Sequence, residues 1–264
     1  MTPTSDFLHQ ANKVIRQVLD ELAPQLLKAQ GAIEHKLKSD KTVVTEMDLI
    51  VEERLRQALA KFDKGIGFGG EETGVDFDQQ TFWLADPIDG TEPFIRGMPF
   101  ATNMIALIHD GEPVMSVINN FAVSEYYLAI KGEGATCNGH AIRVSDRQPD
   151  RAWLAYGVAA ERQDAHGLYD ELHTIVTALR RFCGAGYDYS QVARGSIEGR
   201  LAYHGHGHEW DFAPGALLVQ EAGGRVANIG SDTYDYRNFD FIAANPVIFD
   251  DLMAFMNKFA AKKP

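Results

Sequence analysis

Residues 82–91 constrain the fold of this chain most, because an apolar run leads directly into two acids and a Gly-Thr pair. A proline fixes its own φ and disfavours helical backbone before it, so Pro87 predicts a sharp turn at the end of a buried strand. Gly90 permits an unusual backbone conformation, and Thr91 can begin a helix. We therefore expect Asp86 and Asp89 to converge with helical N–H groups on one small space.

Such a space suits a phosphate ester that divalent cations bridge to the protein, since carboxylates bind cations and a helix N-terminus binds anions. The formal net charge of −12 agrees with this, because it opposes binding to nucleic acid or anionic membranes. Two cysteines, Cys137 and Cys183, favour a reducing compartment. The N-terminus lacks the pattern of a signal peptide, and no apolar run reaches about 18 residues, so we expect a cytoplasmic protein without a membrane span.

The first half of the chain shows helices followed by strands. Apolar residues recur at helical spacing over 7–22, and a second helix is predicted over about 48–62, where Thr45 and Asp48 have the spacing of a capping box. Turn pairs at 110–111 and 138–139 separate predicted strands over 102–109, 114–119, 125–130 and 141–144. This order indicates an antiparallel meander in an α+β fold.

A change of pattern near 147–150 predicts a seam between two halves. The second half mixes its elements: a strand at 152–156, a helix at 169–179, a polar helix at about 188–194, a helix that begins near Asp211, a strand at 235–244 and a helix at 246–259. Taken alone, Asp48 and Asp211 have a plain alternative interpretation as helix caps.

The glycine-rich residues 65–70 formally match the dinucleotide-binding pattern. That pattern should follow a strand and open a helix, whereas here it follows a predicted helix and leads into Glu71 and Glu72, which would repel a pyrophosphate. We favour a flexible or tightly turned segment that delivers Glu71 to a site. A surface acidic turn is the alternative.

Three acidic blocks occur in order along the chain. They are residues 70–72 (Gly-Glu-Glu), residues 82–91 with Phe94 and Pro99 after them, and residues 210–224, which start with Trp210-Asp211 and end with Glu-Ala-Gly-Gly. Lys38, Thr45 and Asp48 form a weaker fourth block. With these blocks the chain resembles the inositol monophosphatase family of magnesium-dependent phosphatases. The resemblance implies the layered α-β-α-β-α sandwich of the inositol monophosphatase and fructose-1,6-bisphosphatase superfamily, and a homodimer.

The resemblance also implies a division of the chain and roles for its residues. Residues 1–148 would carry most metal ligands, and residues 149–264 would complete the same catalytic unit. The implied Mg²⁺ ligands are Glu71, Asp86, Asp89, Asp211 and the backbone carbonyl of Ile88. Thr91 would orient the attacking water with Glu71, the amides of Gly90 and Thr91 would bind phosphate oxygens, and Lys38 and Asp48 would support the ligands.

Elementary electrostatics agrees with the implied ligands. Four carboxylates in one cavity raise one another's pKa unless cations neutralise them, and oxygen donors suit Mg²⁺ rather than zinc. Because the phosphoryl transition state is loose, positioning and charge neutralisation supply most of the catalysis. We expect Asp89→Asn to abolish hydrolysis and to leave the fold intact.

The chain departs from the family pattern where substrate would bind. Pro93 replaces a commonly found Asn, and residues 201–208 contain no acid where inositol-specific members place one. Residues 184–188 lie where the family lines its pocket, so Ala185 and Asp188 are predicted substrate contacts, with a helix N-cap as the alternative for Asp188. His204 is predicted to lie at the substrate rim. With His206 and His208 it could instead form a metal site or a solvated loop.

These readings predict a phosphomonoesterase that acts on a small, inositol-phosphate-like monoester. Histidinol phosphate, a sugar phosphate and a 3′-phosphonucleotide are the alternative substrates. A non-catalytic metal-binding regulator is a competing class.

Overall fold

A computed structural model describes residues 2–37, 43–74, 79–158, 167–182, 184–205 and 207–261. Lys38, Cys183 and His206 lie outside the described residues, so the predicted role of Lys38 stays a prediction. In the described part of the chain, every helix is too short or too polar to cross a bilayer.

The helices are α1 to α7, together with a short 3-10 helix at Pro149–Arg151. Their bounds are α1 Ser5–Ala29, α2 Glu46–Phe62, α3 Thr91–Ile95, α4 Leu168–Leu172, α5 Ala185–Ala193, α6 Glu209–Glu221 and α7 Pro246–Ala261. The first helix is longer than predicted, because Leu26 continues its buried stripe past Pro24. The capping box of α2 is confirmed between Thr45 and Asp48.

The strands of the described ranges form two main sheets and a small ribbon of β1 (His35–Leu37) and β2 (Val43–Thr45). The large sheet contains, in spatial order, β3 Gly67–Gly70, β4 Thr81–Asp89, β5 Thr102–His109, β6 Glu112–Asn120, β7 Glu125–Ile130, β8 Gly134–Cys137 and β9 His140–Ala141. The small sheet contains, in spatial order, β11 Ala178–Arg180, β10 Trp153–Val158, β12 Gly199–Tyr203, β14 Phe241–Ala244 and β13 Arg225–Asn228.

The predicted antiparallel meander is confirmed from β4 to β9. Both predicted turns have left-handed backbone, with φ of 50° at Asp110 and 51° at Asn138. The predicted strand over 141–144 is wrong beyond Ala141. Ile142 N–H still donates to the carbonyl of Ala135 in β8, but Val144 N–H donates to the carbonyl of Ala222, the C-cap of α6.

Two further predictions were wrong. Residues 67–70 form an edge strand, β3, parallel to β4, so they are not a flexible turn. The helix predicted over 169–179 ends at Leu172, and Ala178 pairs with Trp153 in the small sheet. The β-branched run 174–177 between them has a lowered helix propensity. It begins with a turn, in which the N–H groups of Ile175 and Val176 donate to the carbonyl of Leu172.

The elements stack in five layers, which confirms the layered α+β architecture. Helices α1 and α2 cover one face of the large sheet, where Trp83, Ile105 and Val117 are buried against them. Helices α5 and α6 lie between the two sheets. Helices α4 and α7 cover the outer face of the small sheet. This order places the start of α5 and of α6 near the end of β4.

Candidate active site

The end of β4 presents two buried acids, Asp86 and Asp89. Residues three apart on a regular strand point to opposite faces. Here the pairing with β5 shifts register between Asp86 and Asp89, a β-bulge that lets both carboxylates approach each other. The sharp turn predicted at Pro87 is therefore a bulge within a continuing strand, and Asn103 Nδ2 binds the carbonyl of Pro87 at 2.6 Å.

Asp211 completes the group from the other side. It is the third residue of α6, and its Oδ2 accepts the N–H of His208 at 2.6 Å. One carboxylate oxygen from each of Asp86, Asp89 and Asp211 lies within 4.8 Å of the others. Asp211 is thus part of a capping box and also part of the acidic group. The sequence alone could not distinguish a helix cap from a member of a metal site at this position.

The electrostatics of the three aspartates fit a bound cation. Burial, and then the charges of Glu71, Asp211 and Asp89, raise the pKa of Asp86 well above its ordinary value. Burial, and then the charge of Asp89, raise the pKa of Asp211 to about 7. Asp86 Oδ1 is buried and has no hydrogen-bond partner among the residues that the structure describes. An orphaned carboxylate oxygen beside two other acids is a suitable ligand for a hard divalent cation.

Asp89 is held by the start of α5. Its Oδ1 accepts the N–H of Ala185 at 2.9 Å, and its Oδ2 accepts the N–H of Gly186 at 2.8 Å and the hydroxyl of Thr102 at 3.0 Å. Burial raises the pKa of Asp89, while these hydrogen bonds and the charge of Arg200 oppose the rise. The N–H of Ala185, a predicted substrate contact, therefore binds the Asp89 carboxylate.

Glu71 follows β3 and lies beside β4. Its N–H donates to the carbonyl of Ala85 at 3.2 Å, and Gly70 pairs with Ala85 in the sheet. Its charge raises the pKa of Asp86, Asp211 and Asp48, so its carboxylate faces the same region. The structure gathers three of the four predicted carboxylates within 4.8 Å and places Glu71 next to them.

The turn after β4 has the predicted special backbone. Gly90 has φ of 79° and precedes α3, which Thr91 begins. Thr91 Oγ1 donates to the carbonyl of Ile88 at 3.1 Å, so the predicted carbonyl ligand and the predicted water-orienting hydroxyl are adjacent.

Asp48 lies behind the site in α2. Its Oδ2 accepts the N–H of Thr45 at 2.8 Å and the hydroxyl of Thr45 at 2.6 Å. Burial raises its pKa to about 7, and the charges of Glu71 and Glu72 add to the rise. The interpretation of Asp48 as a helix cap is correct, and Asp48 also lies close to the acidic group.

The N-cap interpretation of Asp188 is wrong. Gly184 caps α5, and Asp188 lies four residues later, where its Oδ2 accepts from Arg200 Nε at 3.2 Å. Burial raises the pKa of Asp188 to about 7 against the opposing charge of Arg200. Arg200 itself is only 7% exposed and also donates to the hydroxyl of Tyr189 at 2.7 Å.

Sequence reasoning missed two buried charges near the site, Arg200 and Glu52. Each could have been recognised in the sequence. Arg200 is a charged residue in an otherwise apolar strand, and Glu52 follows Asp48 by four residues on the buried face of α2, which also contains Val51 and Leu55. Arg200 lowers the pKa of Asp89 and Asp211, and Glu52 binds the turn that follows β3.

The histidine stretch lies between β12 and α6. His204 has φ of 49°, and its N–H donates to Asp240 Oδ1 at 2.6 Å. His208 caps α6 and stacks on Trp210, with ring centroids 4.7 Å apart. In the ranges that the structure covers, the group of ligating side chains is made of aspartates and includes neither histidine.

Comparisons with known proteins give one consistent family. The model of the inositol monophosphatase family matches residues 1–258. An inositol-1-monophosphatase of Caulobacter vibrioides is 35% identical over 202 residues, which cover 73% of this chain and 78% of that protein. A histidinol-phosphatase of Mycobacterium tuberculosis is 30% identical over 247 residues, which cover 86% of this chain and 90% of that protein.

A solved structure agrees with these relatives. The crystal structure of the extragenic suppressor protein SuhB from Bartonella henselae superposes with a TM-score of 0.84 at 30% sequence identity. The match covers 93% of this chain and 98% of that one.

Proposed function

The chain belongs to the inositol monophosphatase family and is a phosphoric monoester hydrolase, and from this premise we propose that it hydrolyses a small, inositol-phosphate-like monoester with Mg²⁺ as cofactor. The observation that carries the proposal is the group of Asp86, Asp89 and Asp211, whose oxygens lie within 4.8 Å of one another. Donor atoms that are all oxygens suit Mg²⁺.

The proposed ligands are Asp86, Asp89, Asp211, Glu71 and the carbonyl of Ile88. Bound at such a site, Mg²⁺ lowers the pKa of an attacking water and neutralises charge on the phosphoryl group. Asp89 is fixed by two N–H groups of α5 and by Thr102, so it holds its orientation before any ligand arrives.

The remaining residues have proposed roles around this centre. Glu71 and Thr91 orient the water, and the contact of Thr91 with the Ile88 carbonyl holds that hydroxyl at the end of β4. The amides of Gly90 and Thr91 bind phosphate oxygens. Asp48 and Lys38 support the ligands from behind. Positioned groups of this kind account for most of phosphoryl-transfer catalysis.

The substrate is proposed at the level of a class. The similarity to a Caulobacter inositol-1-monophosphatase supports an inositol phosphate. The similarity to a histidinol-phosphatase, together with the absence of an acid in residues 201–208, supports histidinol phosphate as the second candidate. Asp188, Ala185 and His204 are the proposed contacts of the leaving group. Sugar phosphates and 3′-phosphonucleotides are the remaining candidates.

A panel of phosphate monoesters tests this proposal. Release of inorganic phosphate is measured with Mg²⁺ for myo-inositol 1-phosphate, histidinol phosphate, a sugar phosphate, a 3′-phosphonucleotide and a generic aryl phosphate, and the esters are ranked by kcat/KM. We expect Mg²⁺-dependent release, with myo-inositol 1-phosphate ranked first. Absence of release from every ester, with the protein folded and Mg²⁺ present, would instead support a non-catalytic regulator.

Three broader features are also part of the proposal. The low cysteine content supports a cytoplasmic location, and family membership supports a homodimer. Residues 1–148 contain the large sheet and residues 149–264 the small sheet. Helix α6 packs against both, so we propose that the two halves act as one catalytic unit.

A further inference from the structure

A second buried carboxylate, Glu52, lies behind the turn that carries Glu71. Glu52 is on α2 and is only 2% exposed. Its Oε2 accepts the N–H of Glu72 at 2.9 Å. Burial raises its pKa, and the backbone and side chain of Thr73 oppose the rise. Its Oε1 is buried and has no hydrogen-bond partner among the described residues. Two successive residues of one short turn, Glu72 and Thr73, therefore face this side chain.

The turn itself, residues 70–74, is closed by paired backbone hydrogen bonds. Gly74 N–H donates to the carbonyl of Gly70 at 2.8 Å, and Gly70 N–H donates back at 3.3 Å. We call these residues the Glu71 turn. The sheet holds it at one end, where Glu71 N–H binds Ala85, and Glu52 holds its middle.

Glu52 packs directly against the backbone of the turn at Gly70. A Cβ added at Gly70 would lie 2.3 Å from Glu52 Oε2 and 2.4 Å from its carboxyl carbon. A methyl group at position 70 would force the Glu52 carboxylate to move away from the turn, so the present contact depends on glycine there. Two sequence-distant positions are thus matched to each other at one contact.

Core packing of helix α2 holds Glu52 in place. Val51 and Leu55, on either side of it in sequence, are fully buried in the core between α1, α2 and the large sheet. A buried acid is costly unless donors satisfy it, so its presence in an apolar layer indicates a specific partner. The partner is the Glu71 turn.

We propose that Glu52 is a positioning residue, which fixes the Glu71 turn so that the Glu71 carboxylate faces Asp86 and Asp211 and can complete the metal site. This inference rests on the proposed function, because it assumes that Glu71 is a Mg²⁺ ligand. Residues that orient metal ligands typically contribute 10- to 100-fold in metal affinity or activity.

The main variant is Glu52→Gln, which keeps the shape but removes the carboxylate charge that faces the N–H of Glu72. Gly70→Ala disrupts the same contact, between Gly70 and the Glu52 carboxylate, from the side of the turn. The matched control is Glu198→Gln, because Glu198 is also a buried acid, 1% exposed, and accepts hydrogen bonds from Ser145, Arg147 and Trp153. All three changes should lower thermal stability.

The readouts are Mg²⁺ affinity by calorimetry on the full chain, and kcat and KM. We expect Glu52→Gln and Gly70→Ala to weaken Mg²⁺ binding about 10- to 100-fold and to lower kcat more than they change KM. Glu198→Gln should keep wild-type Mg²⁺ affinity. Wild-type Mg²⁺ affinity in folded Glu52→Gln and Gly70→Ala would overturn the inference. Absence of phosphatase activity in the wild type would instead count against the proposed function.

Discussion

Asp86 and Asp89 lie three residues apart on one strand but have opposite surroundings. Asp89 accepts two N–H groups and one hydroxyl, which favour its charged form. Asp86 Oδ1 has no hydrogen-bond partner within the described ranges, and four neighbouring acids disfavour its charge. Asp89 is therefore held ready by the fold, whereas Asp86 requires a cation to be stable as an anion.

This contrast predicts opposite stability effects for two similar substitutions. Asp86→Asn should raise the thermal midpoint of the metal-free protein by about 2 °C or more, because metal-free folding must either bury the Asp86 charge or protonate it, and asparagine avoids both costs. Asp89→Asn should lower its stability by about 1–3 kcal/mol, because an NH₂ group would face the N–H donors of α5. Both variants should lose Mg²⁺-dependent hydrolysis. Thermal unfolding in chelator and phosphate release measure the two effects.

The structure thereby adds a loss of stability to the prediction from the sequence, which was that Asp89→Asn abolishes hydrolysis and leaves the fold intact. Asp251→Asn, on the exposed surface of α7, is the control and should change neither property. An Asp86→Asn protein that is less stable than wild type in chelator would contradict the proposed electrostatics.

At the scale of elements, the contact between α5 and Asp89 depends on two glycines. A Cβ at Gly186 would lie 2.2 Å from Thr102 Oγ1, and one at Gly184 would lie 2.8 Å from the carbonyl of Phe100. The start of α5 can approach Asp89 this closely because both positions lack a side chain.

Gly186→Ala should therefore push α5 away from Asp89. We expect a loss of about 1–3 kcal/mol in stability and weaker Mg²⁺ binding, measured by denaturant unfolding and calorimetry. Gly65→Ala is the control, because the nearest neighbour of its added methyl group would be Asp63 Oδ1 at 3.2 Å. Equal Mg²⁺ affinity in Gly186→Ala and wild type would show that α5 does not orient Asp89.

Local sequence patterns predicted the helices and strands that depend on short-range signals. They failed for elements whose conformation depends on tertiary contacts. The turn pairs and alternating strands of the meander were recognisable, as was the capping box of α2. The end of α4 was not, because Ala178 and Leu179 become a strand only by pairing with β10. Nor could local spacing show the bulge between Asp86 and Asp89, since its consequence depends on the register with β5.

At the scale of the molecule, the layers collect acids that are far apart in sequence. The sequence identified Asp86, Asp89 and Asp211 as candidates from their local blocks and from the family resemblance. It could not identify the partners that hold them, because Thr102, Ala185 and Arg200 reach the site only through the pairing of β5 with β4 and the packing of α5 and β12.

The acidic interior predicts a pH-dependent response to Mg²⁺. Asp48, Asp188 and Asp211 have pKa values raised from 3.8 to about 7 in the metal-free fold. Between these values the folded state binds protons that the unfolded chain has released, so metal-free stability should fall as pH rises from about 4 to about 7. Mg²⁺ binds the deprotonated carboxylates of the site, so its stabilising effect should grow over the same range.

Thermal unfolding at about pH 5.5 and about pH 8, with Mg²⁺ and with chelator, measures this response. The Mg²⁺-induced rise in Tm should be larger at the higher pH, and Asp86→Asn should abolish it at both. A rise of equal size at both pH values would contradict protonation of the acidic group in the metal-free protein.

The central claim is that folding gathers these acids into one site that binds divalent cations and hydrolyses a phosphate ester. Its most direct test is phosphate release from the best ester of the panel while Mg²⁺ is titrated into chelator-treated protein, for the wild type and for Asp86→Asn. We predict no release without Mg²⁺, saturable release for the wild type and none for the variant. Release that persists in excess chelator, or wild-type rates in Asp86→Asn, would contradict the claim.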